Sequence, residues 1–251
     1  MPRNSPSSPQ TTSANRHAQA SRLLIPRSQR REFFVQFTLM TIMGWVVGGV
    51  ASIALEKIIW ENWTYAIASE PQIWAFWVKF GSNVLFAVVF AADQSLIIRR
   101  YVSGRLWLLA TSIGWLMAYY VAAAWNSYLS SIATSLNENL TVELTYILSF
   151  LSTFAYIFSG IWLGLFQWLV LRRYITKCWW WCFFPSVCFL CISLLVWLLS
   201  LGQNLFPETY RTPVLYWSQQ GFTAIILGII PAIGLCSLKR NLQRKAGISL
   251  P

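Results

Sequence analysis

Long runs of apolar residues alternate with short polar segments along this chain. A helix needs about 20 apolar residues to cross a hydrocarbon core of about 30 Å, and six runs reach that length. The predicted spans cover residues 33–55, 73–98, 106–125, 144–171, 179–201 and 216–238. Transmembrane strands would require alternating segments of about ten residues, and this pattern is not seen. The chain therefore predicts an all-α integral membrane protein with a six-helix bundle over residues 32–240.

Polar residues dominate both ends of the chain. The first fifteen residues are rich in Ser, Pro and Asn and have no apolar periodicity. A segment of this composition cannot bury enough apolar surface to offset the entropy of ordering it. We therefore predict a disordered basic tail over residues 1–31 and a short basic tail over residues 241–251.

Charge is scarce and unevenly distributed. Charged residues make up 11% of the chain and the net charge is +11, whereas a soluble domain carries about 25% charged residues. Sixteen of the nineteen Lys and Arg residues lie in segments that six spans place on one side of the membrane. Because basic loops mark the cytoplasmic side, both termini are predicted to be cytoplasmic, in a bacterial inner or thylakoid membrane. The charge thus predicts anionic lipid headgroups as partners, and no nucleic acid.

Two segments of the chain are similar to each other. They read QSLIIRRYVSGRLWLL from Gln94 and QWLVLRRYITKCWWWC from Gln167. Each unit holds two spans, so successive units are parallel repeats about an axis along the membrane normal. A third unit, split between the sixth and first spans, would complete a pseudo-threefold bundle. The alignment pairs Gln94 with Gln167, the turn residues Arg99 and Arg100 with Arg172 and Arg173, and Trp107 with Trp180.

This cassette, Gln-x-Leu-x-(Ile/Leu)-Arg-Arg followed by Trp, resembles a recurrent pattern in multi-span bacterial membrane proteins, notably cyanobacterial ones. The resemblance covers residues 81–185 well and the ends of the chain poorly. It implies a multi-pass membrane protein and brings no catalytic or binding role for any residue.

The second span carries a stripe of polar residues. Lys79, Asn83, Asp93 and Gln94 project within one arc of about 100° on a helix, and polar groups inside a membrane are often functional. The stripe could line a proton, ion or solute path with Asp93 as its protonatable member. It could equally be structural, because lysines snorkel and carboxylates pair with basic residues. Gln94 and Gln167 are expected to form hydrogen bonds between helices.

The sequence offers little catalytic chemistry. His17 is the only histidine and Asp93 is the only acid within a predicted span. No phosphate-binding loop or nucleophile elbow is found. Four cysteines project in dispersed directions on a helix, so no metal site and no cofactor is predicted; they are Cys178, Cys182, Cys188 and Cys191.

These features favour a polytopic membrane protein without an evident catalytic site. Small residues recur at every fourth position, as in Gly44-x3-Gly48 and Gly160-x3-Gly164, and such patterns let helices approach closely. The chain is expected to act by helix-mediated association with lipid, with its own copies or with other membrane proteins, as a scaffold, assembly or accessory subunit. The alternative is a small transporter or channel that uses the stripe of the second span.

Overall fold

The computed structural model describes residues 23–62, 70–136, 141–175, 178–202 and 207–240. Over these residues it contains six long helices and no strand beyond two isolated bridges. The helices are α1 (Arg30–Asn62), α2 (Pro71–Ile98), α3 (Gly104–Ser135), α4 (Val142–Leu171), α5 (Phe184–Leu201) and α6 (Glu208–Ser237). Each helical segment is long and apolar enough to cross a membrane. The predicted all-helical architecture with six apolar helices is thereby confirmed.

Several helices are longer than the predicted spans. Helix α1 continues to Asn62 instead of residue 55, α3 continues to Ser135 instead of residue 125, and α6 begins at Glu208 instead of residue 216. Hydropathy identifies only the apolar part of a helix, whereas the backbone hydrogen bonds continue into polar residues at its ends.

The fifth apolar segment starts differently from the others. A short 3-10 helix, Trp179–Phe183, precedes α5. Pro185 lies in the first turn of α5, where its missing N–H is tolerated because that group has no partner within the helix. The proline therefore marks where regular helix begins instead of producing a kink inside it.

The six helices close into a ring. Each helix packs against its neighbours in sequence, and α6 packs back against α1. Side chains from α2 to α6 meet in a buried cluster inside the ring, which consists of Phe90, Ala118, Leu163, Cys188, Phe189, Ile192 and Leu227. Trp45 of α1 packs against the same cluster, so all six helices contribute to one core.

Burial is concentrated at one end of this ring. The buried residues of α1 all lie before residue 49, those of α4 all lie after residue 158, and those of α6 all lie after residue 222. Because the helices alternate in direction, these segments belong to the same end. It carries the loops with paired arginines, and we call it the basic end; the opposite end is the far end. A tightly packed half thus adjoins a half whose helices expose most of their surface.

The ends of the described chain are part of the basic end. The N–H of Leu24 donates to the carbonyl oxygen of Leu238 at 2.9 Å, and isolated bridges join Leu23 to Lys239 and Ile175 to Arg240. Both described ends of the chain therefore lie at the same end of the bundle.

The stretch 23–31 departs from the predicted disordered tail. Leu24 and Ile25 are 4% and 0% exposed, and a 3-10 helix follows at Arg27–Gln29. These two apolar residues pack beside the end of α6. Such a contact between distant parts of the chain cannot be recognised from a short apolar stretch in the sequence. Disorder is therefore the wrong prediction for residues 23–31, while 1–22 and 241–251 lie outside the described residues.

The small residues are used inside the bundle. A Cβ added at Gly164 would overlap the backbone carbonyl of Cys182, and one at Gly160 would lie 2.7 Å from the backbone nitrogen of Ser186. Gly114 is in similar contact with α4, where Leu163 Cα would lie 3.0 Å from the added atom. These glycines let neighbouring backbones approach within the ring, so they are not available for contact with another protein.

Candidate functional site

The four stripe residues of α2 do not share one environment. Lys79 is exposed, while Gln94 is 3% exposed. The amide of Asn83 donates to the carbonyl oxygen of Lys79 at 2.8 Å. Asp93 is half-buried against α1, where its Oδ2 would lie 3.0 Å from a Cβ added at Gly44. Among the described residues, no hydrogen bond or ion pair involves the Asp93 carboxylate.

Two phenylalanines interrupt the stripe. Phe86 and Phe90 lie on the same face of α2 between Asn83 and Asp93, and their rings stack at 5.9 Å. The Trp45 ring packs edge-on against both of them, at 5.2 and 6.0 Å. The polar ends of the stripe are therefore separated by packed aromatic rings. A pattern defined by polar residues alone does not show this separation.

Gln167 links α4 to two other elements. Its Nε2 donates to Thr111 Oγ1 of α3 at 3.3 Å, and its Oε1 accepts from Trp181 Nε1 at 3.0 Å. Its side chain is buried, with 6% exposure. Gln167 thus forms the interhelical hydrogen bonds that the sequence predicts for it.

The equivalent amide in the first repeat is bonded less completely. The Oε1 atom of Gln94 and the Nε1 atom of Trp107 are buried without a hydrogen-bond partner in the described part of the chain. Trp107 packs against Trp181 with ring centroids 6.4 Å apart. The sequence alignment pairs Trp107 with Trp180. In the structure, Trp181 is the residue that packs against Trp107 and donates to Gln167. The structural partner of Trp107 therefore lies one residue later, within the 3-10 helix, than the aligned residue.

The four arginines of the repeated turns are exposed at the basic end; they are Arg99, Arg100, Arg172 and Arg173. Arg100 lies 3.9 Å from Glu32, with both side chains 62% exposed, so this pair contributes at most about 1 kcal/mol. The Arg172 guanidinium lies 5.3 Å from the centre of the Trp168 ring. The turns present positive charge outward and are held by contacts with their neighbours.

Hydrogen bonds connect these turns to each other and to the N-terminal segment. The Tyr101 hydroxyl donates to Gln29 Oε1 at 3.0 Å, and the backbone N–H of Ser103 donates to the Tyr174 hydroxyl at 3.3 Å. Burial raises the pKa of Tyr101, an effect that Arg100 opposes. The Tyr101 hydroxyl therefore remains a protonated donor at neutral pH, and the basic end is a connected structure.

Beneath the turns, buried side chains close the basic end. Phe37, Trp107 and Trp181 are each 0% exposed and belong to one cluster. The cluster also contains Ile98, Leu171 and Leu235 from the ends of α2, α4 and α6. These buried side chains therefore pack together across the basic end of the bundle.

A half-open cavity of about 350 Å³ lies inside the ring, towards the far end. It is lined by Trp45, Trp115, Ala118, Tyr119, Ala122, Ala123, Asn126, Tyr156, Ser159 and Phe189. None of the stripe residues belongs to this lining, and neither does any charged residue. Along α3 the cavity extends from Trp115 to Asn126, a distance of about 16 Å.

Aromatic rings form the walls and floor of the cavity. Trp115 contacts Trp45 at 5.8 Å and Phe189 at 6.3 Å, and Tyr156 stacks on Phe189 at 4.8 Å. Phe90 packs beneath Trp115 at 5.4 Å. The sequence contained a signal for this site, because the segments 30–47 and 99–117 are weakly similar and each carries a Gly-Trp pair, at Trp45 and at Trp115.

A second, outward-facing groove of about 460 Å³ lies between α3 and α4. Its lining is almost wholly apolar and consists of Val121, Trp125, Leu151, Phe154, Ala155, Phe158, Ser159, Ile161 and Trp162. Phe150, Phe154 and Phe158 form a continuous ridge on α4, with centroid distances of 6.0 and 4.5 Å. Exposed apolar area of this extent indicates contact with lipid or with another apolar surface.

Neither a metal centre nor a known relative identifies the chemistry. Within the described ranges, no three His, Cys, Asp or Glu side chains are grouped closely enough to hold a metal ion. No protein-family model, curated protein or solved structure matches this chain. Function is therefore inferred from the arrangement of its own residues.

Proposed function

We propose that this chain is a non-catalytic, multi-pass membrane protein that acts by lateral association with lipid and with other membrane proteins. The observation that carries the proposal is the division of the bundle into two halves. The basic end is tightly packed and charged, whereas the far half exposes apolar and aromatic faces. Such a body is suited to contacts in the plane of a membrane.

The proposed orientation places the basic end in the cytoplasm. The described basic residues there are Arg27, Arg30, Arg31, Arg99, Arg100, Arg105, Arg172, Arg173, Lys239 and Arg240, with Glu32 as the one described acid among them. This asymmetry follows the rule that basic loops remain on the cytoplasmic side. The exposed arginines would then contact anionic headgroups, each contributing about 1 kcal/mol near the surface.

The proposal includes three parallel two-helix units arranged with pseudo-threefold symmetry, namely α2–α3, α4–α5 and a third unit split between α6 and α1. Two similar contacts support this symmetry. Gly44 of α1 lies against Phe90 of α2, and Gly114 of α3 lies against Leu163 of α4. The packing of α6 against α1, which closes the ring, supports a third unit split between these two helices. The repeated Arg-Arg turns would then surround the axis at the basic end.

The surface proposed for lateral contact is the groove between α3 and α4 together with its phenylalanine ridge. The small-residue patterns do not provide this surface, because they hold the bundle itself together. Large aromatic side chains give an apolar partner helix or acyl chains a broad dispersion contact.

Site-specific photo-crosslinking in native membranes tests lateral association. A benzophenone side chain at Phe154, which is 48% exposed in the groove, is expected to give a discrete protein adduct. The same probe at Val50, which is 64% exposed on α1 outside the groove, is the matched control and is expected to give only lipid adducts. Identical patterns at the two positions would contradict association through the groove.

Transport remains the second candidate because the Asp93 carboxylate has no partner among the described residues. Our account predicts that Asp93→Asn leaves proton flux unchanged, since Phe86 and Phe90 separate Asp93 from the polar residues nearer the far end. Flux is measured with an internal pH dye in liposomes under a potassium diffusion potential. A flux that wild type supports and folded Asp93→Asn loses would favour transport.

A further inference from the structure

The cavity inside the ring has a lining without charge. Its walls are the rings of Trp45, Trp115, Tyr156 and Phe189, with alanines of α3 between them. A charged ligand would be costly to desolvate there, because no opposite charge lines the cavity. A volume of about 350 Å³ lies within the range of small-molecule sites, which are mainly apolar with a few polar groups.

Several hydrogen-bond donors of the lining have no acceptor among the described residues. In the described residues no hydrogen bond uses the indole N–H of Trp115, the hydroxyls of Tyr119 and Tyr156, or the amide N–H groups of Asn126. The amide oxygen of Asn126 already accepts one hydrogen bond, from Ser152 Oγ at 2.6 Å. A ligand that supplies acceptor oxygens can pair with these free donors in an otherwise apolar lining, and a ligand without acceptors cannot.

Other polar atoms around the cavity are occupied and serve to fix its walls. The Trp45 indole N–H donates to Gln220 Oε1 at 3.0 Å, and the Ser159 hydroxyl donates to the Tyr156 carbonyl oxygen at 2.7 Å. These bonds hold Trp45 in place and restrain the α4 backbone beside Tyr156. The cavity is thus a shaped site with fixed aromatic faces and free donors.

We propose that this cavity binds a neutral, flat lipophile that carries carbonyl oxygens, of the quinone type. A conjugated ring would stack against the aromatic walls, in the offset and edge-on arrangements that such rings prefer. Its carbonyl oxygens would accept from Trp115 and Tyr156. Ala123 and Asn126, which line the cavity nearest the far end, are exposed, so a hydrocarbon tail can leave the ring there. The assignment goes beyond lateral association and does not depend on it.

A lipid acyl chain fits the lining less well. A saturated chain would leave every free donor without an acceptor, and it lacks the π surface that aromatic walls select. A fatty-acid carboxylate would bring a charge with no cation in the lining to balance it. The flat carbonyl compound alone matches the walls, the donors and the absence of charge together.

Binding of decylbenzoquinone to the purified full chain in nanodiscs tests the assignment. Saturable quenching of tryptophan fluorescence, corrected with empty nanodiscs, gives the Kd. We expect decylbenzene, which lacks the carbonyl oxygens, to bind at least about tenfold more weakly. Tyr156→Phe keeps the ring and removes one donor, and is expected to weaken quinone binding by about fivefold.

A matched pair of alanine variants locates the site. Ala123 lines the cavity and is exposed, so Ala123→Leu fills the space without entering the α3–α4 contact. Ala124 is its exposed neighbour outside the cavity. Ala123→Leu is expected to weaken binding at least tenfold, and Ala124→Leu is expected to leave it unchanged. Thermal unfolding of each variant verifies that it is folded.

Three results would overturn the assignment. They are the lack of saturable quinone binding, equal Kd values for Ala123→Leu and Ala124→Leu, and decylbenzene binding as tight as that of the quinone. If Ala123→Leu does not fold, an unchanged Kd for Tyr156→Phe refutes the use of the donors. None of these results bears on lateral association, which crosslinking at Phe154 tests separately.

Discussion

Gly164→Ala is expected to destabilise the bundle by about 3 kcal/mol, near the upper end for overpacking. The added methyl would overlap the backbone carbonyl of Cys182. A backbone atom cannot rotate away as a side chain does, so α4 must separate from the Trp179–Phe183 segment. The expected result is a lower midpoint of thermal unfolding in detergent, measured by circular dichroism, with loss of the monodisperse elution peak.

Gly221→Ala provides the matched control. Gly221 lies in α6, and nothing lies within 4 Å of an added Cβ. Alanine has a higher helix propensity than glycine by about 1 kcal/mol, so this variant should be neutral or slightly more stable. Equal unfolding midpoints for the two variants would contradict the close approach of α4 to the 3-10 helix.

Gln167→Leu is expected to cost about 2–4 kcal/mol. The substitution removes the acceptor of Trp181 Nε1 and the donor to Thr111 Oγ1, and each buried group left unpaired costs about 1–3 kcal/mol. Leucine is close to glutamine in size, so the effect is mainly polar. The measurement is again the midpoint of thermal unfolding, with the near-ultraviolet signal of the tryptophans as a second readout.

Gln94→Leu makes the same change at the equivalent repeat position and should cost much less. The Gln94 Oε1 atom has no partner in the described structure, so its removal relieves an unpaired buried acceptor. The account predicts a clear difference in stability between the two variants. Equal losses would show that Gln94 is bonded as fully as Gln167.

The sequence predicted the parts of the fold that depend on local composition. Six apolar runs predicted six helices, and the paired arginines of the repeat were found together at one end. Residues 23–31 were assigned wrongly because Leu24 and Ile25 are buried only through contact with distant residues. Hydropathy averaged along the chain does not detect a two-residue anchor in a polar neighbourhood.

The candidate site was harder to predict for a similar reason. The prediction of a stripe on α2 rests on polarity alone, which does not take account of Phe86 and Phe90 on the same face. The central cavity draws residues from α1, α3, α4 and α5, so no single segment carries a recognisable motif. Only the Gly-Trp pairs ending at Trp45 and Trp115 indicated this cavity in the sequence. The two tryptophans line one cavity because the six helices close into a ring, and the sequence does not show that closure.

Cysteine accessibility in whole cells shows whether the basic end faces the cytoplasm of a membrane-spanning bundle. The five native cysteines are replaced by alanine, and single cysteines are introduced as Glu70→Cys at the far end and Arg105→Cys at the basic end. Both positions are exposed. A membrane-impermeant maleimide is predicted to label Glu70→Cys in intact cells, and Arg105→Cys only after permeabilisation. The reverse pattern, or labelling of both positions in intact cells, would contradict the account.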